Sequence, residues 1–241
     1  MTRSRTTEGN DVENSLSIVV PAYNEEKLLR GTIEHLVRTA PLHTDAAEII
    51  IVNDGSKDST DTLANELAAK HEIVSVYHQS PNQGFGATVR HGFQKAQYTY
   101  VTYIPVDYHF SAKEFDMYLS LIKYADIVIG YRRERRKELG FYPWMVSSFY
   151  HLMVNLVFRL NFYDVNWIHL YRREQLEDFV GQSEGVFLLA ETLINAKRLG
   201  LKIVGVDVDF ADREEGVATG IQTGTIIRTL RELLGFLIKK T

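Results

Sequence analysis

The chain has 241 residues, of which 45% are hydrophobic and 24% are charged, a composition typical of globular proteins rather than of disordered or collagen-like chains. It contains no cysteine, which excludes disulfides, zinc–thiolate sites and thiol catalysis. With 27 basic and 31 acidic residues the formal net charge is −4, so we expect no nucleic-acid partner.

The first 137 residues alternate between apolar runs and helical patterns. Buried strands are expected at Ser15–Val20, Glu48–Val52, Ile73–Tyr77, Tyr100–Ile104 and Ala125–Ile129. The intervening helices are expected at about 24–38, 58–70, 84–96 and 113–123. This alternation predicts a mostly parallel sheet with helices on both faces, and such sheets bind ligands where their strands end.

The pattern changes after residue 138, where an aromatic-rich helical sequence runs to about Phe162. An unassigned segment over Asp164–Arg173, a helix over Val186–Leu199, a strand over Ile203–Phe210 and a last helix from about Thr223 to Lys240 follow. We find no repeat or linker. The expected organisation is a polar, loose tail over residues 1–14, which is no secretory signal, one domain over 15–220 and an amphipathic helix over 221–241.

One stretch, Leu139–Phe158, has 20 residues without Asp, Glu, Lys or Arg and is long enough to span a bilayer. Ser148, His151, Asn155 and Arg159 would share one face of a helix, and Pro143 suits its first turn. Such an amphipathic helix is a poor spanning segment, so it either packs on a core or lies at a membrane surface. The opposite side carries Met145, Phe149, Leu152, Met153 and Leu156.

Polar motifs follow the first two strands. Asn24 and Glu25 come directly after the first strand, and Asp54 and Gly55 after the second. Each motif alone reads as a helix cap or a tight turn.

Together the two motifs are specific. Val-Pro-Ala-Tyr-Asn-Glu at 20–25, followed by Val-Asn-Asp-Gly-Ser-x-Asp-x-Thr at 52–60, closely resembles family 2 of the nucleotide-sugar glycosyltransferases. Asn82–Gly86 and Arg90–Gly92 resemble that family's N-x-G-x-G and R-x-G elements. The resemblance covers about residues 15–220, and its later segments are most similar to polyprenyl- or dolichyl-phosphate sugar synthases.

The resemblance implies the α/β GT-A fold, a Rossmann-like, mostly parallel sheet flanked by helices, with acceptor-side helices towards the C-terminus. It implies a nucleotide-sugar half at 15–137 and an acceptor half at 138–220. The residues that it assigns to the nucleotide sugar are Pro21, Ala22, Tyr23, Glu25, Asp54, Asp58, Gln83, Gly84, Val106 and Asp107.

The metal motif departs from the family pattern of Asp-x-Asp, because Pro105 stands at the first position and Asp107 at the second. His109 lies two residues further on, so in an extended loop both side chains would point the same way. They would then share a divalent cation with phosphates and water. Mg²⁺ prefers oxygen ligands, whereas an imidazole favours Mn²⁺. The alternative is that His109 is an ordinary loop residue and metal binding is weak or absent.

A basic run follows the fifth strand, where five of the six residues of Arg132–Lys137 are Arg or Lys. The resemblance assigns Arg132, Asp164 and Arg213 to phosphate or acceptor binding, and guanidinium groups suit phosphate oxygens. The other basic residues would attract a phosphate or an anionic membrane, or simply form a solvated loop. Trp167 would stack on a sugar or be a buried aromatic.

Glu191 matches an acidic position of the family. It would act as a base towards a hydroxyl acceptor, or organise a phosphate acceptor that needs little base help. The alternative is an exposed helical glutamate, since burying it unpaired would be costly. The apolar residues of the last helix would pack on the core or bind a membrane peripherally.

The expected function is an inverting, metal-assisted transfer of a sugar from a UDP- or GDP-sugar to an acceptor, most plausibly a polyprenyl phosphate such as undecaprenyl or dolichyl phosphate. Asp107, Arg132 and Glu191 are the expected catalytic residues. Two alternatives stay open: transfer to a glycan hydroxyl with Glu191 as base, and a nucleotide-sugar-binding module without strong activity. The expected location is cytoplasmic, with peripheral contact at the cytoplasmic face of a membrane, neither spanning nor secreted.

Overall fold

A computed structural model of the protein describes residues 14–132, 141–208 and 223–238. Its strands are β1 (Ser15–Ala22), β2 (Ala46–Asn53), β3 (Val74–His78), β4 (Tyr100–Tyr103), β5 (Ile127–Arg132), β6 (His169–Arg172) and β7 (Ile203–Val208). Its helices are α1 (Leu29–Thr39), α2 (Thr60–Lys70), α3 (Phe85–Lys95), α4 (Ala112–Ile122), α5 (Phe141–Phe158), α6 (Arg173–Phe179), α7 (Phe187–Arg198) and α8 (Thr223–Ile238), with a short 3-10 helix at Ala40–Leu42.

The described strands form one sheet in the order β3-β2-β1-β4-β6-β5-β7. All neighbouring strands are parallel except β6, which is antiparallel to both β4 and β5. The predicted mostly parallel sheet is therefore confirmed. The segment Asp164–Arg173, which the sequence left unassigned, contains β6, and α6 begins at its last residue.

Helices cover both faces of this sheet. Alternate residues of β1 point to opposite sides, so Ile18 packs with Ile33 of α1, whereas Val19 packs with Val89 and Phe93 of α3. Gly92 of α3 lies so close to β1 that a Cβ there would stand 2.2 Å from a methyl carbon of Val19. The glycine of the R-x-G element thus serves helix–sheet packing.

Two expected helices have different ends in the structure. The first begins at Leu29, five residues later than expected, because Asn24 has a left-handed backbone (φ +57°) that helical residues do not adopt. The aromatic-rich helix ends at Phe158 rather than near Phe162, and Arg159 directly after it is also left-handed (φ +53°).

Helix α5 turns its polar side towards the protein. His151 is buried, and Asn155 exchanges two hydrogen bonds with the backbone of Phe162. Much of the apolar side is exposed, so core packing is wrong for those residues, whereas Val154 is buried and Tyr150 and Phe158 pack against the core. In the ranges that the structure describes, no helix is long and apolar enough to cross a membrane. The exposed apolar residues of α5 are Phe141, Met145, Phe149, Leu152, Leu156 and Val157.

Candidate active site

The site lies where β1, β2 and β4 end. These three strands are adjacent and parallel, so the segments 23–28, 54–59 and 104–111 that follow them meet at one edge of the sheet. A fourth segment, 79–84, joins them after β3, the outer neighbour of β2. The topology thus brings the predicted nucleotide-sugar residues to one place.

Hydrogen bonds tie the first two segments together. The backbone N–H of Asn24 donates to Ser56 Oγ at 2.9 Å, and the Asn24 side-chain oxygen accepts from the Lys57 N–H at 2.8 Å. The N–H of Glu25 donates to Thr60 Oγ1 at 2.8 Å. The predicted helix cap at Asn24 is therefore a link between two loops.

The carboxylate of Asp58 accepts hydrogen bonds from Thr60 and Glu26. One carboxylate oxygen accepts from the N–H and hydroxyl of Thr60 at 3.0 and 2.6 Å, and the other accepts from the Glu26 N–H at 3.3 Å. Burial opposes the charge, but these hydrogen bonds outweigh it and hold the pKa of Asp58 below its usual value. Its assignment to the nucleotide stays a prediction.

Asp54 holds the loop after β3 in place. Its buried carboxylate accepts the backbone N–H of Gln83 at 2.7 Å through one oxygen and that of Gly84 at 2.8 Å through the other. Gly84 has φ +95°, and a Cβ there would stand 2.7 Å from the carbonyl oxygen of Glu184. Asp54 therefore orients the loop that carries Gln83 and Gly84, and a direct bond to a nucleotide stays a prediction.

The pKa of Glu25 is affected by burial and by the carboxylates near it. Burial, the charge of Asp107 and the charge of Asp58, in that order, raise its pKa from 4.5 to about 7. Three carboxyl groups therefore share one negative region, beside the exposed ring of Tyr23. Pro21 and Ala22 form the end of β1 next to it.

The segment after β4 is a turn, closed by a hydrogen bond from the Tyr108 N–H to the Pro105 carbonyl at 3.1 Å. Asp107 occupies a central position of that turn, so this segment is not the extended loop in which the side chains of Asp107 and His109 would point the same way. His109 is exposed and stacks on His35 with ring centroids 4.9 Å apart. Val106 is buried, and its carbonyl accepts a hydrogen bond from the Thr32 hydroxyl.

Within the described ranges, no three His, Asp or Glu side chains are grouped so as to hold a metal ion. The roles of Asp107 and His109 as metal ligands stay predictions.

Arg132, the last residue of β5, is partly buried, and β6 separates β5 from β4 in the sheet. Its Nε–H donates to Oδ2 of Asp164 at 2.7 Å, and its guanidinium lies 4.3 Å from the ring centroid of Trp167. Trp167 is itself buried, which favours the buried-aromatic alternative over sugar stacking. The rest of the basic run, residues 133–137, and Arg213 lie outside the described residues.

Asp164 has a partner that sequence reasoning missed. Its other oxygen, Oδ1, accepts the N–H of Asn166 at 3.2 Å and lies 3.1 Å from Nε2 of His151 on α5. The only sequence signal was the place of His151 in the polar stripe of α5. This contact connects the exposed helix to Arg132.

Glu191 is buried in α7, so the exposed-glutamate alternative is wrong. Its Oε2 accepts three hydrogen bonds, from the N–H groups of Gln182 and Ser183, both at 2.9 Å, and from the Ser183 hydroxyl at 2.7 Å. The same loop accepts a hydrogen bond from Arg90 through the Ser183 carbonyl at 3.1 Å. Glu191 therefore anchors the loop that packs against the start of α3.

Comparison with known proteins gives one family. The family model described as "Glycosyl transferase family 2" matches residues 17–180. Glycosyltransferase AglD of Haloferax volcanii is 25% identical over 233 residues, which cover 91% of this chain and 35% of the relative. Undecaprenyl-phosphate mannosyltransferase of Micrococcus luteus is 27% identical over 209 residues, covering 82% of this chain and 84% of the relative.

The fold recurs in solved structures. Glucosyl-3-phosphoglycerate synthase from Mycobacterium tuberculosis, crystallised with Mn²⁺, UDP and glucosyl-3-phosphoglycerate, superposes with a TM-score of 0.65 at 19% identity, covering 92% of this chain and 79% of that one. The expected GT-A architecture is thereby confirmed.

Proposed function

The chain belongs to glycosyltransferase family 2, and from this premise we propose that it transfers a sugar from a UDP- or GDP-sugar to a polyprenyl phosphate. The observation that carries the proposal is the meeting of the segments after β1, β2 and β4 at one edge of the sheet, with a partly buried arginine at the end of β5. The names of relatives support the acceptor, since one of them is an undecaprenyl-phosphate mannosyltransferase.

The donor would bind between the linked loops of Asn24 and Lys57 and the loop oriented by Asp54. Tyr23 offers an exposed ring for stacking on a base. Backbone groups of Gln83 and Gly84, fixed by the Asp54 carboxylate, would set the width of this pocket. The remaining assigned residues of the donor site are Pro21, Ala22, Glu25, Asp58, Val106 and Asp107.

The negative charge of the site would favour a divalent cation. Burial, and after it the charges of Asp107 and Asp58, raise the pKa of Glu25 to about 7, and a cation would be attracted to these carboxyl groups. Asp107 and His109 would hold the ion, either Mg²⁺ or Mn²⁺, with the diphosphate oxygens completing its shell. When bound, a divalent cation stabilises the charge that develops on the leaving diphosphate.

The reaction exchanges one bond for another at the anomeric carbon. An acceptor phosphate oxygen would form a bond to that carbon from the face opposite the nucleoside diphosphate, and the old C–O bond would break with its electron pair on the diphosphate. The configuration would therefore invert. Arg132 would hold a phosphate group, because guanidinium donors match phosphate oxygens, and no proton need be removed from an ionised phosphate.

The geometry of Glu191 supports this acceptor over a glycan hydroxyl. A general base must reach the proton that it removes, whereas Oε2 of Glu191 already accepts three hydrogen bonds from residues 182–183. We assign Glu191 to the support of that loop.

Peripheral contact with a membrane is part of the proposal. A polyprenyl phosphate resides in a bilayer, and α5 exposes a row of apolar side chains while its His151 reaches towards the Arg132 region. An apolar face of this kind buries area in the interfacial layer of a membrane. This surface would bring the phosphate of the acceptor to the site.

A transfer assay tests the proposal. The protein would be incubated with radiolabelled UDP- and GDP-sugars, Mg²⁺ or Mn²⁺, and vesicles that contain undecaprenyl phosphate, and the lipid fraction would then be counted. We expect label in the lipid with one donor, none with undecaprenol in place of the phosphate, and none after chelation of the cation. Label found only in added glycans would reject the lipid acceptor.

A further inference from the structure

Gly84, in the loop proposed to bind the donor, is held from two sides. On one side, its N–H donates to Oδ2 of Asp54 at 2.8 Å. On the other side lie the carbonyl oxygen of Glu184 and the guanidinium of Arg228. A Cβ added to Gly84 would stand 2.7 Å from that oxygen and 2.9 and 3.0 Å from the two terminal nitrogens of the arginine. Gly84 therefore cannot shift towards α8 unless these groups move, since closely packed atoms leave no free space.

The guanidinium of Arg228, on α8, is oriented by two carboxylates. Its Nη2 donates to Oε2 of Glu184 at 2.9 Å, and its Nε donates to Oε1 of Glu232, one turn further along the helix, at 3.4 Å. A planar guanidinium that donates in two directions has a defined orientation. These contacts therefore fix the group that lies against Gly84.

Glu232 holds the neighbouring backbone directly. Its Oε1 also accepts the N–H of Gly185 at 2.8 Å, and a Cβ added to Gly185 would stand 2.7 Å from its Oε2. The carbonyl oxygen of Glu184, one residue earlier, accepts the N–H of Gly86 at 2.7 Å. Because Gly86 is the second residue of α3, these contacts connect α8 to the backbone that directly follows Gly84.

Two helices thus fix the segment 182–185. Glu191 of α7 accepts the N–H groups of its first two residues, and Arg228 and Glu232 of α8 bind its last two. The segment lies against Gly84 and Gly86. The position of α8 therefore affects the shape of the loop that carries Gln83 and Gly84, although α8 belongs to the far end of the chain.

We propose that Arg228 is a positioning residue for the nucleotide-sugar donor: together with Glu232, it holds residues 83–86 in the arrangement that binds the nucleotide. This inference rests on the proposed function, through the assignment of Gln83 and Gly84 to the donor site. The Arg228 and Glu184 side chains are 43% and 67% exposed, and such exposed ion pairs contribute little to global stability. A loop that is already ordered binds its ligand more tightly, so the effect belongs to donor affinity.

The test measures binding of UDP and of GDP, each with Mg²⁺, by isothermal titration calorimetry. For the nucleotide that the wild type prefers, we expect Arg228→Ala to raise the Kd roughly three- to tenfold, with a melting temperature within about 4 °C of the wild type. Arg228→Lys keeps the charge without the planar fork, so it should recover only part of the affinity. Arg30→Ala is the matched control and should bind as the wild type does, because Arg30 forms an equally long, exposed ion pair with Glu66 at 2.9 Å.

Glu232→Ala separates positioning from direct attraction between Arg228 and the phosphates. This variant keeps the cation and removes a carboxylate, so direct attraction predicts equal or tighter nucleotide binding. Loss of the hold on Gly185 predicts weaker binding, and the effects of Arg228→Ala and Glu232→Ala should not multiply in the double variant, because both act on one segment. Equal or tighter binding by Glu232→Ala would overturn the positioning role.

Amide hydrogen exchange, followed by NMR, needs no nucleotide. In Arg228→Ala the N–H groups of Gly84 and Gly86 should exchange faster than in the wild type. The N–H of Asp54, which donates to the carbonyl of Ala22 at 2.9 Å, should keep its rate. With the donor that supports transfer, the KM should rise and kcat should stay the same, as expected when only ground-state binding is lost.

The outcomes distinguish this role from the proposed function. Unchanged nucleotide affinity in Arg228→Ala, or weaker binding with unchanged exchange at Gly84 and Gly86, would overturn the role of Arg228 and leave the proposed transfer standing. Weaker binding and faster exchange in the variant, without any lipid product from the wild type, would reject the lipid acceptor and leave the role of Arg228 standing. A wild-type protein that binds neither UDP nor GDP would overturn both.

Discussion

The side-chain oxygen of Asn24 accepts a hydrogen bond from the backbone N–H of Lys57 at 2.8 Å, across 33 residues of sequence. The contact requires Asn24 to adopt a left-handed backbone, which asparagine tolerates better than most residues. It locks the loop after β1 to the loop after β2. This side chain thus helps to hold the proposed donor pocket, together with the hydrogen bonds from Asn24 to Ser56 and from Glu25 to Thr60.

Replacing Asn24 tests this lock. Asn24→Ala loses the hydrogen bond and strains the backbone, so we expect it to lower the free energy of unfolding by about 1–3 kcal/mol and to weaken donor binding. Asn24→Gly keeps the backbone freedom and should lose less. Urea denaturation measures both, and an alanine variant as stable as the wild type would refute the role of this contact.

Glu25 should make stability depend on pH. Its pKa is about 7 in the folded protein, whereas its usual value, taken for the unfolded state, is 4.5. Between these pH values the folded state therefore binds more protons than the unfolded state. The contribution of Glu25 to stability is therefore full below pH 4.5 and is lost as the pH rises to about 7. We expect a loss of about 1–2 kcal/mol, since solvent screens a half-exposed group.

Glu25→Gln removes the titrating group, so the difference in unfolding free energy between the variant and the wild type should grow over that pH range in favour of the variant. Chemical denaturation at several pH values measures it. A constant difference from pH 4.5 to 7.5 would contradict the raised pKa.

Asp107→Asn should reduce cation-dependent transfer by roughly 10²–10³-fold, because it removes a charged ligand that would hold the ion at the leaving group. It should also lower the pKa of Glu25, which the charge of Asp107 helps to raise. Asp116→Asn, on the exposed side of α4, is the matched control and should keep its activity. Full turnover by Asp107→Asn would contradict the assignment of Asp107 as a metal ligand.

Glu191→Gln separates support of a loop from base catalysis. As an anchor of residues 182–183, Glu191 contributes to folding, so we expect a loss of about 1–3 kcal/mol in unfolding free energy with less than a tenfold change in kcat. A general base would instead cost roughly 10²–10⁴-fold in kcat. Glu177→Gln, on the exposed side of α6, should change neither quantity.

The exposed face of α5 should bind membranes. A triple change of Phe149, Leu152 and Leu156 to Ser removes side chains that are 62%, 62% and 71% exposed, so stability should change little. Co-sedimentation with anionic vesicles should fall sharply. Leu42→Ser is the control, because it alters an exposed residue outside α5 and should not affect sedimentation. If the triple variant sediments with vesicles as the wild type does, the exposed face of α5 does not bind membranes.

The sequence predicted the strands of the first half well, because each is a buried apolar run bounded by turn residues. It did not predict β6, since four residues, His-Leu-Tyr-Arg, give no periodicity and lead directly into α6. The spacing of Asp107 and His109 suggested an extended loop, and only a local hydrogen bond to Pro105 shows the turn.

Side-chain partners were less accessible to prediction than strands. The motif residues Asn24, Asp54 and Asp58 were found, but their partners lie on other loops, up to 33 residues away. Likewise the bond between Arg132 and Asp164 spans 32 residues. Spacing reports what lies on one face of one element, and it carries no information about which elements meet.

The position of β6 has a consequence for how the chain is made. Strands β1 to β4 pair among themselves and are all synthesised by residue 103, but β5 has no partner in that group. Its neighbours are β6 and β7, which come last in sequence among the described strands. During translation β5 is therefore an apolar strand without a sheet neighbour. Its first neighbour, the four-residue β6, is synthesised only some forty residues later and must insert between β5 and β4. An unpaired apolar strand of this kind is prone to pair incorrectly during folding.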